Sequence, residues 1–188
     1  MDPRIEEVLA FWFRDPARWF TKTPAFDEQI RERFSALRDQ AVAGGLSWRS
    51  SAKGELGLII LLDQFSRNLF RDSARAFEAD ATALGIARGM RASGRAQQLT
   101  PIQQVVVLMP FQHAEDRTTQ AESVAAYEAL VEAAPPETRA MFENNLDYAK
   151  QHRDIIARFG RFPHRNAALG RTSTADERAF LAEPGSSF

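Results

Sequence analysis

The chain contains no cysteine among its 188 residues. Disulfide bonds, zinc sites built on thiolates, cysteine-ligated iron–sulfur clusters and a catalytic thiol are therefore excluded. Histidines and carboxylates remain as candidate metal ligands, and the chain has only 3 histidines. These histidines lie in distant segments without a recognised ligand spacing, so we expect no metal and no cofactor.

The sequence also lacks a long apolar run and an excess of charge of either sign. No segment approaches the roughly 20 apolar residues of a membrane-spanning helix, which predicts no membrane partner. The formal net charge of -1 gives no bulk attraction to nucleic acid, so we expect no nucleic-acid partner. The first residues, "MDPRIEEVLA", are acidic where a signal peptide is basic, and the expected location is the cytoplasm.

Helix signals occur along the whole sequence. Asp2 and Thr23 each precede a proline, an arrangement typical of a helix start. Capping boxes are predicted at "TPIQ" (100–103) and "TADE" (174–177). Pro110 predicts the end of the fifth helix or a kink in it. We find no alternating pattern that indicates a strand.

Apolar stripes indicate the buried face of each helix. The third helix is expected from about residue 54 to about residue 70, and Phe77, Ala81 and Leu84 begin the predicted stripe of the fourth helix. We predict an all-α fold of about eight helices in antiparallel pairs, with roughly two-thirds of the residues in helix. The expected organisation is a single domain over residues 1–188. Paired helices also permit a tetratricopeptide-like superhelix, although the full repeat signature is missing.

The third helix, "ELGLIILLDQFSRNLF", carries the first candidate site. Its apolar residues extend around both sides, so we expect the helix to be covered on two faces. Asp63 and Arg67 lie four residues apart on the second apolar face. They form either an ordinary surface pair worth ~0.3 kcal/mol or an enclosed ion pair. The enclosed alternative predicts that both residues join the polar cluster of the "GRFPHRN" loop.

The segment "PFQHAEDRTTQ" carries the second candidate site. His113, Asp116 and Gln120 are spaced for one helical face. Glu115 and Asp116 either complement a positive helix N-terminus or work with His113 in metal binding or proton transfer. The two-histidine helical pair of a zinc protease is missing, so the metal alternative is the weaker one.

His152 is the third candidate. It lies on the apolar side of the longest amphipathic stretch, opposite a row of charged residues. A single histidine on such a face is either a hydrogen-bonded core residue or a general base.

The loop "FGRFPHRN" and the residues after it concentrate positive charge. Arg161, His164, Arg165 and Arg171 occur between Gly160 and Thr172 without an acidic residue. This charge is solvated, or pairs with carboxylates of other helices, or binds an anion through planar guanidinium groups. We expect Arg161 to be structural, and His164 and Arg165 to contribute to an anion site.

Three blocks of the sequence carry a resemblance to a known family. The blocks "LLDQFSRNLFR", "MPFQHAED" and "FGRFPHRNAALGRTST" resemble the signature blocks of an uncharacterised bacterial family, domain of unknown function 924. The resemblance extends over nearly the whole chain and implies an all-α, tetratricopeptide-like fold, with no established activity, cofactor or substrate. Ala114 departs from the family pattern, in which serine is more common. The motif positions are Asp63, Gln64, Arg67, Asn68, His113, Glu115, Asp116, His152, Arg161, His164, Arg165, Asn166 and Arg171.

Three functional interpretations remain open on the sequence alone. In the first, the protein binds an anionic small molecule or an acidic peptide in a polar pocket lined by Asp63, Arg67, His113, His152, Arg161, His164, Arg165, Asn166 and Arg171. In the second, a hydrolase-like enzyme uses His113 or His152 as general base, Glu115 or Asp116 as its orienting partner, and Arg161 or Arg165 to stabilise negative charge. In the third, the polar groups only specify the fold.

Overall fold

The fold is all-α in the part of the chain that our computed structural model describes, residues 2–20 and 23–186. Helices account for 74% of these residues, and no strand occurs among them, which confirms the predicted fold class. The described residues form nine α-helical segments. A π-helical segment, Ile60–Phe65, joins α3 (Ala52–Ile59) to α4 (Ser66–Leu69), so these nine segments make eight continuous helices. The segments are α1 Pro3–Phe13, α2 Pro24–Val42, α3 Ala52–Ile59, α4 Ser66–Leu69, α5 Asp80–Ala92, α6 Pro101–Gln112, α7 Arg117–Ala133, α8 Pro136–Phe159 and α9 Ala175–Leu181.

Several helices begin at the residues that the sequence predicted. Asp2 caps α1 by accepting a hydrogen bond from the backbone N–H of Arg4. Thr174 and Glu177 form the predicted capping box at the start of α9. At the start of α6, the Gln103 side chain accepts a hydrogen bond from the Thr100 backbone N–H at 3.1 Å. Side chains thus satisfy the exposed backbone donors that every helix N-terminus presents.

The predicted stripe of α5 is wrong in detail, and α6 does not end at Pro110; the alternative, a kink at this proline, stays a prediction. Ala81 is exposed, and the buried face of α5 consists of Ala83, Ile86, Ala87 and Met90. The apolar stripe was misplaced because α5 is rich in small residues, which mark its faces weakly. Helix α6 continues through Pro110 and ends at Gln112. A proline so close to a helix end removes one backbone hydrogen bond and leaves little helix beyond it to disrupt.

The chain divides into two compact units between Pro110 and Phe111. In the first unit, five aromatic rings pack where α1, α2 and the π-helical segment meet. The Phe34 and Phe65 ring centroids are 4.9 Å apart, and the Phe11 ring lies 5.0 Å from Phe34 and 5.5 Å from Phe26. Trp12 meets Phe65 edge-on at 5.6 Å. Aromatic pairs of this kind add to the stability that burial of their area provides.

In the second unit, α7 and α8 form the most extensive helix pair. The connection at Ala134 and Pro135 is short, so the two helices run antiparallel. Gly160 ends α8 in the left-handed conformation, with φ of 71°, and turns the chain into the segment that carries the arginines.

Three expectations about the whole chain remain predictions: the single domain, the pairing of all helices, and the tetratricopeptide-like superhelix. Among the residues described, none of the helices combines the length and the apolar character that a bilayer span requires.

Candidate functional site

The polar residues of the second unit gather on the segment 160–174, which we call the arginine loop. Two glutamates outside the loop hold it in place. Glu115, in the turn before α7, accepts two hydrogen bonds from Arg171, at 2.6 Å from Nη1 and 2.9 Å from Nη2. The same carboxylate accepts a third hydrogen bond from the backbone N–H of Phe162 at 2.8 Å. These contacts keep the pKa of Glu115 below its ordinary value although burial alone would raise it.

Glu177 in α9 anchors the other end of the loop. Its two carboxylate oxygens accept hydrogen bonds from Arg161 Nε at 2.6 Å and Nη2 at 2.8 Å. One of the oxygens also accepts the backbone N–H of Thr174 at 2.7 Å, as the capping box requires. The hydrogen bonds from Arg161 and Thr174 lower the pKa of Glu177 from 4.5 to about 2.

Asn166 connects these two ion pairs inside the loop. Its side-chain oxygen accepts a hydrogen bond from Arg171 Nε at 3.0 Å. Its side-chain nitrogen donates to Ser173 Oγ at 3.0 Å and to Glu177 at 3.3 Å. Of the three interpretations offered for the loop charge, pairing with carboxylates therefore holds for Arg161 and Arg171. The expectation that they bind a ligand remains a prediction without direct support.

The third arginine of the loop, Arg165, belongs to a group of residues that we call the arginine–histidine cluster: His113, His152, Phe162, His164 and Arg165. The fully buried ring of Phe162 is at its centre. The guanidinium carbon of Arg165 lies 4.5 Å from the centroid of this ring, and the rings of His152 and His164 each lie 5.6 Å from it. His113 joins through His152, with ring centroids 6.0 Å apart. Two histidines of the chain thus contact one phenylalanine, and the third contacts one of these two.

Within this cluster, His152 is a neutral residue with a fixed tautomer. Its Nδ1 lies 2.8 Å from the backbone oxygen of Tyr148, and a carbonyl oxygen only accepts, so Nδ1 carries the proton. Nε2 is consequently the acceptor nitrogen of the ring. Burial, followed by the positive charges of His113, Arg165 and His164, lowers the pKa of His152 from 6.5 to about 3. His152 presents no charge to the cluster at neutral pH.

The prediction that His113, Asp116 and Gln120 share one helical face is wrong. Helix α6 ends at Gln112 and α7 begins at Arg117, so His113 lies in the turn between two helices. Asp116 is the N-cap of α7 and accepts hydrogen bonds from the Thr119 backbone N–H and hydroxyl, both at 2.7 Å. Helical spacing fails here because a capping aspartate starts a new helix at this point.

In the first unit, the enclosed interpretation of Asp63 and Arg67 is correct. Asp63 lies in the π-helical segment with no exposed surface, and its carboxylate is 3.0 Å from Arg67 Nη1. Gln64 also donates to Asp63. Arg67 makes two further hydrogen bonds, each 3.0 Å long, to Asp80 at the start of α5. The predicted association of Asp63 and Arg67 with the arginine loop remains a prediction, since the loop belongs to the second unit.

Sequence reasoning missed several buried polar residues. Arg38 in α2 is fully buried and pairs with Glu78 at 2.6 Å, yet its position in the sequence indicated only a helix surface. Asp27 accepts a hydrogen bond from Asn68 at 2.8 Å and another, also of 2.8 Å, from Arg71 Nη2. The residues of α7 that face inward include Gln120 and Ser123, both with no exposed surface. Only the apolar residues flanking these positions could have indicated their burial.

Metal ligands are not grouped in the part of the chain that the structure describes. Among those residues, no three histidine, aspartate or glutamate side chains are arranged to hold a metal ion. The arginine–histidine cluster contains histidines without a carboxylate ligand set. The expected absence of a metal stays a prediction.

Comparisons with known proteins agree with the fold and leave the activity open. The model of the family described as "Bacterial protein of unknown function (DUF924)" matches residues 8–185. A solved structure of a protein of unknown function from Agrobacterium tumefaciens is 34% identical to the chain, covers 96% of it and 97% of its own length, and superposes with a TM-score of 0.86. None of the curated proteins matches.

Proposed function

The chain belongs to the DUF924 family of bacterial proteins of unknown function, and from this premise we propose that it is a binding protein that holds a small anion at the arginine–histidine cluster. The observation that carries the proposal is the convergence of Arg165, His152 and His164 on the buried ring of Phe162, with His113 beside His152. Guanidinium and imidazole groups are the donors that bind carboxylates and phosphates in proteins.

The two glutamate anchors support this proposal because they organise the loop in advance. Arg161 and Arg171 are each held by two hydrogen bonds to one carboxylate. The backbone of the loop is thereby fixed at both ends, and His164 and Arg165 lie between these ends. A donor that is already ordered loses less side-chain entropy on binding than a mobile one.

Burial supports the proposal further. Arg165 is only 5% exposed, whereas His113 and His164 are half-buried and reach the surface. An enclosed guanidinium attracts an anion more strongly than an exposed one, since water screens it less. The half-buried histidines provide the side from which a small anion reaches Arg165.

Of the two candidate bases, His152 is poorly suited to hydrolysis. A general base works best when its pKa lies near the operating pH. The pKa of His152, about 3, makes it a poor proton acceptor for a catalysed step.

Thermal unfolding in the presence of anions tests the proposal. Phosphate, sulfate, acetate and citrate should be compared at constant ionic strength, because exposed charges are screened within about 8 Å. A bound anion raises the melting temperature of the wild type by mass action. We expect Arg165→Leu to abolish this increase and Arg165→Lys to reduce it, because lysine lacks the planar fork.

Arg139→Leu is the matched control. It removes the same charge from an exposed position at the start of α8, so the increase should persist. Equal increases in the wild type, Arg165→Leu and Arg139→Leu would overturn the proposal and favour a purely structural network.

A further inference from the structure

We propose that the anion bound at the arginine–histidine cluster also carries a hydroxyl group, and that Gln120 and Ser123 of α7 bind this hydroxyl. The inference rests on the proposed function and adds the chemical class of the ligand. It starts from two fully buried polar atoms, Gln120 Oε1 and Ser123 Oγ, that have no hydrogen-bond partner among the described residues.

The orientation of the Gln120 amide is fixed by its neighbours. Its nitrogen donates to the backbone oxygens of Gln112 at 2.6 Å and Ala114 at 2.8 Å. These carbonyls only accept, so the amide cannot be turned to bring its oxygen towards them. Oε1 is therefore an acceptor that points away from both carbonyls and lacks a donor among the described residues.

Gln120 is next to the arginine–histidine cluster. The two carbonyls that it binds belong to the residues on either side of His113. The His113 ring lies 6.0 Å from that of His152, which in turn contacts Phe162 beneath Arg165. Gln120 thus contacts the backbone of the turn that carries His113, and in this proposal the ligand extends from Arg165 past the histidines to the Gln120 side chain.

Ser123 extends this polar surface by one turn of α7. Residues three apart on a helix lie on the same face, so Ser123 Oγ is on the side of Gln120 Oε1. Tyr127 follows on that face and is already satisfied, because its hydroxyl donates to Gln112 Oε1 at 3.0 Å. The unmet hydrogen-bonding capacity of this face is therefore confined to Gln120 and Ser123 in the described part of α7.

A hydroxyl group is the chemistry that fits these two atoms. It donates to Gln120 Oε1 and accepts from Ser123 Oγ, so one group satisfies both. A second charge is disfavoured, because a buried ion without a counter-charge is costly. Unsatisfied buried polar atoms are uncommon in folded proteins, and where they occur they can mark the place at which a water or a ligand group binds.

Two pairs of anions that differ by hydroxyl groups test the inference. Lactate is compared with propionate, and glycerol 3-phosphate with propyl phosphate, by calorimetric titration of the full chain. One hydrogen bond between neutral groups corresponds to about two- to tenfold in affinity. We expect the hydroxylated member of at least one pair to bind more tightly by about this factor. The preference should fall in Ser123→Ala, where only the hydrogen bond to Gln120 remains, and be unchanged in Ser35→Ala, a control that changes a serine of α2.

The melting temperature of unliganded Ser123→Ala is a second readout. It should not fall, because the removed hydroxyl has no partner among the described residues. A fall comparable to that of Ser66→Ala, whose hydroxyl is hydrogen-bonded, would mean that Ser123 is already satisfied, and would overturn the inference.

The outcomes separate the two proposals. Equal affinities within both pairs, lost in Arg165→Leu, would overturn the hydroxyl inference and leave anion binding in place. A hydroxyl preference as large in Ser123→Ala as in the wild type would do the same. No binding of any of the four anions would overturn both proposals.

Discussion

The carboxylate of Glu115 and the guanidinium of Arg171 form an ion pair that holds the arginine loop in place. Each side chain is about a quarter exposed, 24% and 23% respectively, and the contact has two parallel hydrogen bonds. The sequence favoured carboxylate partners for the loop arginines. It did not indicate which carboxylate pairs with which arginine, because Glu115 and Arg171 are far apart in sequence. Glu177 was recognised only as a capping residue, although it also binds Arg161.

Removing the Glu115 charge should destabilise the fold. In Glu115→Gln, the Arg171 guanidinium loses its counter-charge and one of the two carboxylate oxygens to which it donates. We expect the free energy of unfolding to fall by about 2 kcal/mol, measured by urea denaturation at pH 7.

Glu143→Gln is the control for that substitution. Glu143 is exposed on α8, so its neutralisation should change the free energy of unfolding by less than about 0.5 kcal/mol. Equal effects of the two substitutions would mean that the Glu115–Arg171 pair contributes nothing to stability.

At the scale of the element, the π-helical segment is the feature that sequence patterns missed. The prediction of one continuous helix from about 54 to 70 is close to the observed Ala52–Leu69. The wider turn within it depends on contacts from elsewhere in the fold. Ser66 Oγ donates to the Leu61 carbonyl five residues earlier, at 3.3 Å, and accepts from Arg38 Nε of α2 at 2.9 Å. No periodicity in the local sequence encodes a contact with α2.

Helix ends were more predictable than helix faces. Thr174 and Glu177 are adjacent in sequence to the backbone groups that they satisfy, so the pattern alone identifies the start of α9. Which face of α5 is buried depends on the neighbouring element that covers it. The small residues of α5 mark its faces weakly, so the sequence did not identify the buried one. His113 and Gln120 were placed on one helical face by their spacing. This was wrong because Asp116 caps a new helix between them, and the cap was not recognised in the sequence.

Substitution of Ser66 tests the support of the π-helical segment. In Ser66→Ala, the fully buried Nε of Arg38 loses its acceptor. An unsatisfied buried donor costs about 1–3 kcal/mol, and we expect a loss of this size in the free energy of unfolding. Ser35→Ala, in α2, should be nearly neutral. A neutral Ser66→Ala would contradict the role assigned to the Arg38–Ser66 contact.

Across the whole molecule, most acidic residues with a shifted pKa, together with His152, make the fold less stable in acid. Hydrogen bonds to Arg4 and Trp48 hold the pKa of Asp2 well below its ordinary value, and the pKa values of Glu115, Glu177 and His152 are also lowered. Each of these groups binds its proton more tightly in the unfolded chain, so stability is lost as pH falls. Glu55 has the opposite effect on the pH dependence of stability, because burial raises its pKa.

His152 and Glu177 lose their contributions to stability over different pH ranges. His152 contributes stability that is present above pH 6.5 and is lost as pH falls towards about 3. Glu177 contributes stability that is lost between 4.5 and about 2. We therefore expect urea midpoints to decline already between pH 7 and pH 5, and His152→Leu to flatten this part of the curve. Parallel curves for His152→Leu and the wild type would contradict a buried neutral histidine.

The central claim is that Arg165 and the histidines around Phe162 bind an anion. A crystal structure of the full chain grown with tungstate tests it most directly, because this phosphate-like anion is located by its anomalous scattering. We predict a tungstate within hydrogen-bond distance of the Arg165 guanidinium and of His113 or His164. Well-ordered density for these side chains with no tungstate among them, while the anion is bound at other arginines of the same crystal, would contradict the claim.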